Sequence, residues 1–355
     1  MTTGRAAAIL PSRNEPATIA AATTAVDSAL NDVRAVIVHA DSSDTPDTAD
    51  SFAATPARAG KMALTGLVRG KGAQILAAAG RAEIADAGVV LIADTDTRNP
   101  DPAVYRALLD RVRGGAALAI ADYPRHWDEA NLTNHLARPL IAAATGHDVP
   151  QPLAGDLAVS AAALAAALRA ATELPADLAA CTAGYGIDAF LLLTAAATGP
   201  VASVRVNAPK RHAGSFDHLP AIYHQAVPVL LHLTAAWNRP PFTRSGAPIV
   251  YRPADRALPP ERVRDMLTAL DGLALPPDRY DGGPWPLPLA DAWRVVNSGA
   301  TPADTARQLW PHYLHRVRDW LTRGQHATTG QRAQMLATGH DRLHALLTPA
   351  AGAPR

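Results

Sequence analysis

Two aspartates one residue apart, Asp94 and Asp96, close the apolar run Val89-Val90-Leu91-Ile92-Ala93. A short apolar run of this kind reads as a buried parallel strand, and open α/β sheets bind ligands at the carboxyl ends of such strands. Carboxylate oxygens suit hard divalent ions such as Mg2+ or Mn2+, which neutralise the charge building on a departing phosphate. The pair therefore fits a metal-diphosphate site, and the plain alternative is a helix N-cap with a spare acid. Arg69-Gly70-Lys71-Gly72 adds two cations at a predicted helix start, where backbone N–H groups favour anions. It is not a Walker A loop, because Thr65 stands at the first glycine position and Gly72 at that of the metal-binding hydroxyl. No GxGxxG follows the first strand, which argues against a dinucleotide site. A surface Gly-Lys-Gly turn would look the same.

Short apolar runs alternate with alanine-rich helical segments through the first half of the chain. Ala6 to Leu10, Ala35 to Val38, Val89 to Ala93 and Ala116 to Ala121 are predicted strands; Glu15 to Leu30, Lys71 to Asp86 and Pro102 to Arg113 are predicted helices. Such a βαβ series favours a parallel sheet with helices on both faces. Leu10-Pro11-Ser12-Arg13-Asn14-Glu15 and Asp41-Ser42-Ser43-Asp44-Thr45 then fall on the same rim as Asp94 and Asp96. Each cluster alone is also what ordinary helix capping requires; together they outline a nucleotide pocket. Further helices are expected over Glu129 to Thr145, Ser160 to Ala171, Ile187 to Ala197 and Asp217 to Trp237, with a last strand over Val201 to Val206. Arg239-Pro240-Pro241 reads as a linker into a mostly helical tail, whose Trp285, Trp293, Trp310 and Trp320 are expected to pack a helical subdomain or a subunit contact.

At 355 residues the chain can hold one large α/β domain or two smaller ones. Thirty-three Lys and Arg against thirty-two Asp and Glu give no overall field to recruit nucleic acid or an anionic membrane, so a small soluble substrate fits better. The single cysteine, Cys181, excludes an internal disulfide framework and a multi-cysteine zinc site, and a reducing cytoplasm is the expectation. No stretch reaches the ~20 apolar residues of a membrane helix, and Ala6 to Leu10 is too short for a signal-peptide core.

The order Leu10-Pro11-x-Arg13-Asn14-Glu15, Asp41-Ser42-Ser43-Asp44-Thr45, Gly70-Lys71-Gly72 and Asp94-Thr95-Asp96 resembles the nucleotide-sugar half of GT-A glycosyltransferases. The likeness continues through Gln151-Pro152-Leu153-Ala154-Gly155-Asp156, Gly184-Tyr185-Gly186-Ile187-Asp188 and Lys210-Arg211-His212, which look like motifs of mannosylglycerate synthase and glucosyl-3-phosphoglycerate synthase. The resemblance implies an α/β fold: a GT-A (Rossmann-like) nucleotide-sugar domain with a mostly parallel central sheet over residues 1–238 and a helical C-terminal region over 239–355. Within that domain, residues up to 122 form the donor half and 123–238 the acceptor half. It also implies retaining transfer of a hexose from UDP-glucose or GDP-mannose to glycerate or its phosphate, with a divalent metal, Mg2+ or Mn2+, in a homodimer.

Residue by residue, the resemblance gives Asp96 and His212 to the metal. Asp94, Pro11, Arg13, Glu15, Asp41 and Lys71 go to base, ribose and phosphates, and Asp188 to the reacting centre. Without the resemblance, His212 in a basic run reads as a surface residue and Asp188 as a helix cap. Arg125, followed eight residues later by Thr133, matches the spacing that grips a glycerate carboxylate, with the backbone at Leu153 assisting. Arg138-Pro139-Leu140 and Asn99-Pro100-Asp101-Pro102 resemble the phosphoglycerate enzymes, which makes the chain intermediate between the two groups, but Asn131 stands where those enzymes carry a phosphate-binding arginine, so an unphosphorylated hydroxy-acid acceptor is expected. Asp156 stands where the family usually has Glu; losing a methylene pulls the carboxylate back by about one bond length, which leaves donor preference open. Two rivals remain: a sugar nucleotidyltransferase, which lacks its glycine-rich loop after Leu10, and a silent nucleotide-sugar binding protein.

Overall fold

The computed structural model describes residues 4–212, 214, 216–238, 250–273 and 283–348. Among them are seven strands: β1 (Ala6–Ser12), β2 (Val36–Asp41), β3 (Gly60–Leu64), β4 (Val89–Ile92), β5 (Leu118–Asp122), β6 (Leu157–Ser160) and β7 (Val201–Arg205). They form one sheet in the order β3-β2-β1-β4-β6-β5-β7. All neighbours are parallel except β6, which runs antiparallel to both β4 and β5. β1, β2 and β4 are buried along their whole length, as strands covered on both faces must be. One face places Ala8, Leu10, Ile37, Leu91 and Ala119 against Ile19, Val26, Tyr105 and Leu108 of the helices Ile19–Leu30 and Pro102–Arg113. On the other, helix Lys71–Ala79 packs on β1 and β2, and helix Ile187–Ala196 on β5 and β7.

The chain divides into two compact units, Met1–Tyr123 with Gln151–Ala226, and Pro124–Pro150 with Val227–Arg355. The expected cut at 238 is therefore displaced, and Pro124–Pro150 belongs with the helical part. The reason lies in its side chains: the Trp320 indole donates to the Trp127 carbonyl at 2.8 Å, and Trp285 to that of His135 at 3.2 Å. Arg332 lies over the Trp127 ring, while Arg138 lies over Tyr251 and forks onto Asp148 at 2.7 and 2.8 Å. Trp320, buried in this unit, packs its core as expected. The helix expected from Glu129 instead enters through a π turn, Thr133–Ala137, before Arg138–Thr145. The Arg239-Pro240-Pro241 linker lies outside the described residues. Among the described residues no single helix is long and apolar enough to cross a membrane.

Candidate active site

Antiparallel β6 is what assembles the acidic rim. Its register pairs Ile92 with Leu157, so the residues just beyond, Asp94 and the Gly155-Asp156 pair, come side by side. Asp156 is wholly buried; one of its oxygens accepts the Asp94 backbone N–H at 2.9 Å and the other accepts the Tyr123 hydroxyl at 2.9 Å. Gly155 leaves room that a side chain would close: a Cβ there would stand 2.1 Å from an Asp94 carboxylate oxygen.

Lys71 enters from the start of its helix. Gly70, at φ 136°, has a backbone conformation that L side chains rarely adopt, and a Cβ on Gly72 would fall 1.8 Å from the Thr182 carbonyl. The two glycines thus let the loop dock on the turn that precedes Asp188. The Lys71 ammonium lies 3.0 Å from Asp94 Oδ1 and 3.0 Å from Asp188 Oδ1. Burial opposes charge on this lysine, but Asp188 and Asp94 outweigh it and hold its pKa above the ordinary lysine value. Asp188, in the first turn of helix Ile187–Ala196, has its pKa raised by burial, which Lys71 only partly offsets.

A second lysine, Lys210, completes the cluster. Its Nζ lies 2.7 Å from Asp94 Oδ2 and 2.9 Å from Asp156 Oδ2, and its side chain is 6% exposed. Burial disfavours charge on Lys210 too, yet Asp156 and Asp94 keep its pKa raised. For Asp94 burial is overcome by Lys210 and Lys71, which hold the carboxyl well below the usual carboxylate range. The sequence places Lys210 in the Lys-Arg-His run but assigns it no contact; nothing in local pattern links it to acids 116 and 54 residues away.

The same segment brings His212 to Asp96. Arg211 N–H donates to the Asn99 side-chain oxygen at 2.7 Å and Arg98 N–H to the Arg211 carbonyl at 2.8 Å, tying the strand-end loop to the 209–212 stretch. His212 Nδ1 then lies 3.9 Å from Asp96 Oδ2. Two donors each about 2.1 Å from a common ion stand at most about 4.2 Å apart, so this spacing accommodates a cation between imidazole and carboxylate. The donor set also fits, since Mn2+ takes imidazole beside oxygen ligands. No group of three or more His, Cys, Asp or Glu arranged for a metal occurs among the described residues. Burial, and then Asp94, raise the Asp96 pKa.

Along the same rim, Thr95 donates to the Pro11 carbonyl at 2.8 Å, and Ser12 and Ser43 both donate to Asp41 Oδ1. Arg13 lies 3.5 Å from Asp44, and Asn14, at φ 57°, donates its side-chain amide to the Asp44 carboxylate and accepts the Asp44 backbone N–H on its side-chain oxygen. Glu15 accepts from Thr18, and burial raises its pKa. The first unit thus gathers Asp94, Asp96, Asp156, Asp188, Lys71 and His212, with Pro11 and Asp41 on the same strand ends. Leu153 lies in the turn before Asp156. Arg125 and Thr133 belong to the second unit, where Arg125 Nε stands 3.7 Å from Glu129 and Thr133, buried, opens the π turn.

No family model matches the chain, and no curated protein matches it in sequence. Solved structures do match in fold. Glucosyl-3-phosphoglycerate synthase from Mycobacterium tuberculosis, in complex with Mn2+, UDP-glucose and phosphoglyceric acid, is similar with a TM-score of 0.53 at 22% identity over 70% of this chain and 84% of that one. The same enzyme with Mn2+, UDP and glucosyl-3-phosphoglycerate, and with Mn2+, UDP-glucose and glycerol 3-phosphate, gives 0.52 at 24% identity over the same shares. The mixed, mostly parallel sheet followed by helices is accordingly the GT-A fold of these glycosyltransferase structures.

Proposed function

We propose that this chain is a metal-dependent hexosyltransferase that moves a hexose, with retention of anomeric configuration, from UDP-glucose or GDP-mannose to the hydroxyl of a small carboxylate acceptor such as D-glycerate. The observation that carries this reading is the partly buried Lys71 ammonium, fixed between Asp94 and Asp188 at the carboxyl rim of the sheet, on the same strand end as the Asp96–His212 pair. An ammonium already held in place stabilises charge on a leaving nucleoside diphosphate without reorganising. A Mn2+ or Mg2+ ion bound by Asp96 and His212 would supply further neutralisation of that diphosphate. Pro11, Arg13, Glu15 and Asp41 are assigned to base and ribose. Asp188 is assigned to aligning the reacting sugar; a carboxylate paired with a buried lysine is a poor nucleophile, which favours same-face substitution over a covalent intermediate.

Arg125 and Thr133 are assigned to the acceptor carboxylate, for which the planar guanidinium fork is suited, with the Leu153 backbone assisting. The Asn131 amide donates to the Asp128 carbonyl at 3.0 Å and brings no cation for a phosphate, which supports an unphosphorylated acceptor. The phosphoglycerate found in the similar structures supports a second reading, transfer to a phosphorylated acceptor. Work as a dimer in a reducing cytoplasm belongs to the same proposal.

A donor-by-acceptor matrix with product stereochemistry read by NMR tests it. Transfer to glycerate with retention is expected. Turnover of 3-phosphoglycerate alone overturns the acceptor, and formation of an NDP-sugar from NTP and sugar phosphate overturns the reaction class.

A further inference from the structure

In the second unit an acid stands beside the arginine assigned to the acceptor. The one ion pair of Arg125 among the described residues is with Glu129, whose Oε2 lies 3.7 Å from Nε, beyond hydrogen-bond reach, and that Nε is buried without a hydrogen-bond partner. Glu129 is kept there by Arg256, whose guanidinium reaches Glu129 Oε1 at 3.2 Å and also pairs with Asp128. Arg256 is itself anchored: its carbonyl accepts the Trp127 indole N–H at 3.0 Å, and Ala254 donates to the Arg125 carbonyl at 2.8 Å and accepts the Trp127 backbone N–H at 3.1 Å. Two guanidinium groups and two carboxylates cancel, so a single carboxylate on Arg125 already leaves the group negative. Asn131, two residues on from Glu129, adds nothing positive: its Oδ1, like Asp128 Oδ1, is buried without a hydrogen-bond partner. What this corner lacks is a hydrogen-bond donor, which a hydroxyl offers and a phosphate dianion does not.

We propose that Glu129, held in place by Arg256, is a specificity-determining residue that keeps phosphorylated acceptors out of the Arg125 site and admits a hydroxy acid with a single carboxylate. A phosphate ester adds a charge of roughly −1.5 to −2 at neutral pH. Beside a group whose charges already cancel, that addition meets repulsion from Glu129 with no cation to offset it, whereas a lone carboxylate needs only the Arg125 fork. The inference rests on the acceptor assignment made above for Arg125, and it goes past the absence of an arginine at 131 by naming a charge that acts against the phosphate.

The test is calorimetry on the whole chain with Mn2+ and UDP or GDP present, comparing dissociation constants for D-glycerate and 3-phosphoglycerate, so that no turnover is involved. Wild-type protein is expected to bind glycerate more tightly. Glu129→Gln, which keeps the size and removes the charge, is expected to shift the ratio of the two constants at least about tenfold towards 3-phosphoglycerate. Glu129→Asp, which keeps the charge, is expected to retain the wild-type ratio. Arg256→Gln leaves both acids with less compensation and is expected to shift the ratio the other way; loosened packing alone does not produce opposite shifts from the two sides of one ion pair. Should Glu129→Gln not fold, Arg256→Gln carries the test. A ratio unchanged in the folded variants, while wild type prefers glycerate, overturns the role of Glu129 and leaves the acceptor reading standing. Tighter binding of 3-phosphoglycerate by wild type overturns that reading along with this one, and binding of neither acid overturns the assignment of Arg125.

Discussion

Asp94 divides its carboxylate between two lysines far apart in the chain, Lys71 at 3.0 Å on Oδ1 and Lys210 at 2.7 Å on Oδ2. Asp188 and Asp156 lie at the two outer ends of this chain of charges, each paired with the nearer lysine. Because all five groups are largely buried, their geometry is set by mutual attraction in a medium that screens poorly. Each change to one member is therefore felt by its neighbours.

Lys71→Met removes the ammonium that faces both Asp94 and Asp188. With one partner gone, two buried acids lose compensation, and a stability loss of about 3–5 kcal/mol is expected, read by denaturant unfolding. In the folded fraction, kcat/KM is expected to drop roughly 100- to 1,000-fold, the usual effect of losing one preorganised group at a developing charge. Kinetics equal to wild type would remove Lys71 from the leaving-group side of the reaction.

Much of this arrangement is legible in the sequence. β1, β2, β4 and β5 are continuous apolar runs because parallel strands buried on both faces must be, and the rim acids follow from where those runs stop. β3 is not legible: it is an edge strand, Gly-Lys-Met-Ala-Leu, half exposed and carrying Lys61. Nor is β6, four residues that merge into the Ser160 cap of the next helix, so its reversed direction and the pairing of Gly155 with Asp94 leave no trace. Lys71, Asp94, Asp96 and His212 are visible through motif resemblance. The Lys210–Asp94 and Lys210–Asp156 pairs are not, because periodicity reports which face of an element is buried and says nothing about contacts between distant loops.

Asp96→Ala and His212→Ala test the ion's two protein ligands separately. Losing either is expected to raise the Mn2+ concentration for half-maximal activity at least about tenfold. His212→Ala truncates a side chain only 12% exposed, so its fold is checked by circular dichroism before the titration is read. A metal titration that is unchanged in both variants would sink the assignment.

Arg125→Lys keeps the charge but loses the fork. A charge-assisted bidentate hydrogen bond of this kind is worth about 1.5–3 kcal/mol, so the acceptor KM is expected to rise roughly 10- to 100-fold with the donor KM unchanged. Steady-state kinetics with each substrate varied in turn separates the two. A rise in the donor KM alone would place Arg125 on the wrong substrate.

His39 gives the molecule an acid-sensitive point on β2, beside the Ser12–Asp41 contact. It is fully buried on β2, its ring 4.7 Å from that of Phe52, with Nε2 on the Ser12 hydroxyl and Nδ1 without a hydrogen-bond partner. Burial lowers its pKa to about 4 from 6.5, although Asp41 pulls the other way. The unfolded chain therefore takes up a proton at this residue between pH 6.5 and about 4 that the folded chain refuses, so the contribution of His39 to stability rises with pH across that window. At roughly 1.4 kcal/mol per pH unit, His39 is expected to account for a loss of about 3 kcal/mol between neutral pH and pH 4. Urea unfolding of wild type and His39→Gln at several pH values checks this, because the glutamine variant retains a polar partner for Ser12 but has nothing to titrate. Its stability is expected to fall less steeply over the window, and equal slopes for the two proteins would show that the acid sensitivity arises elsewhere.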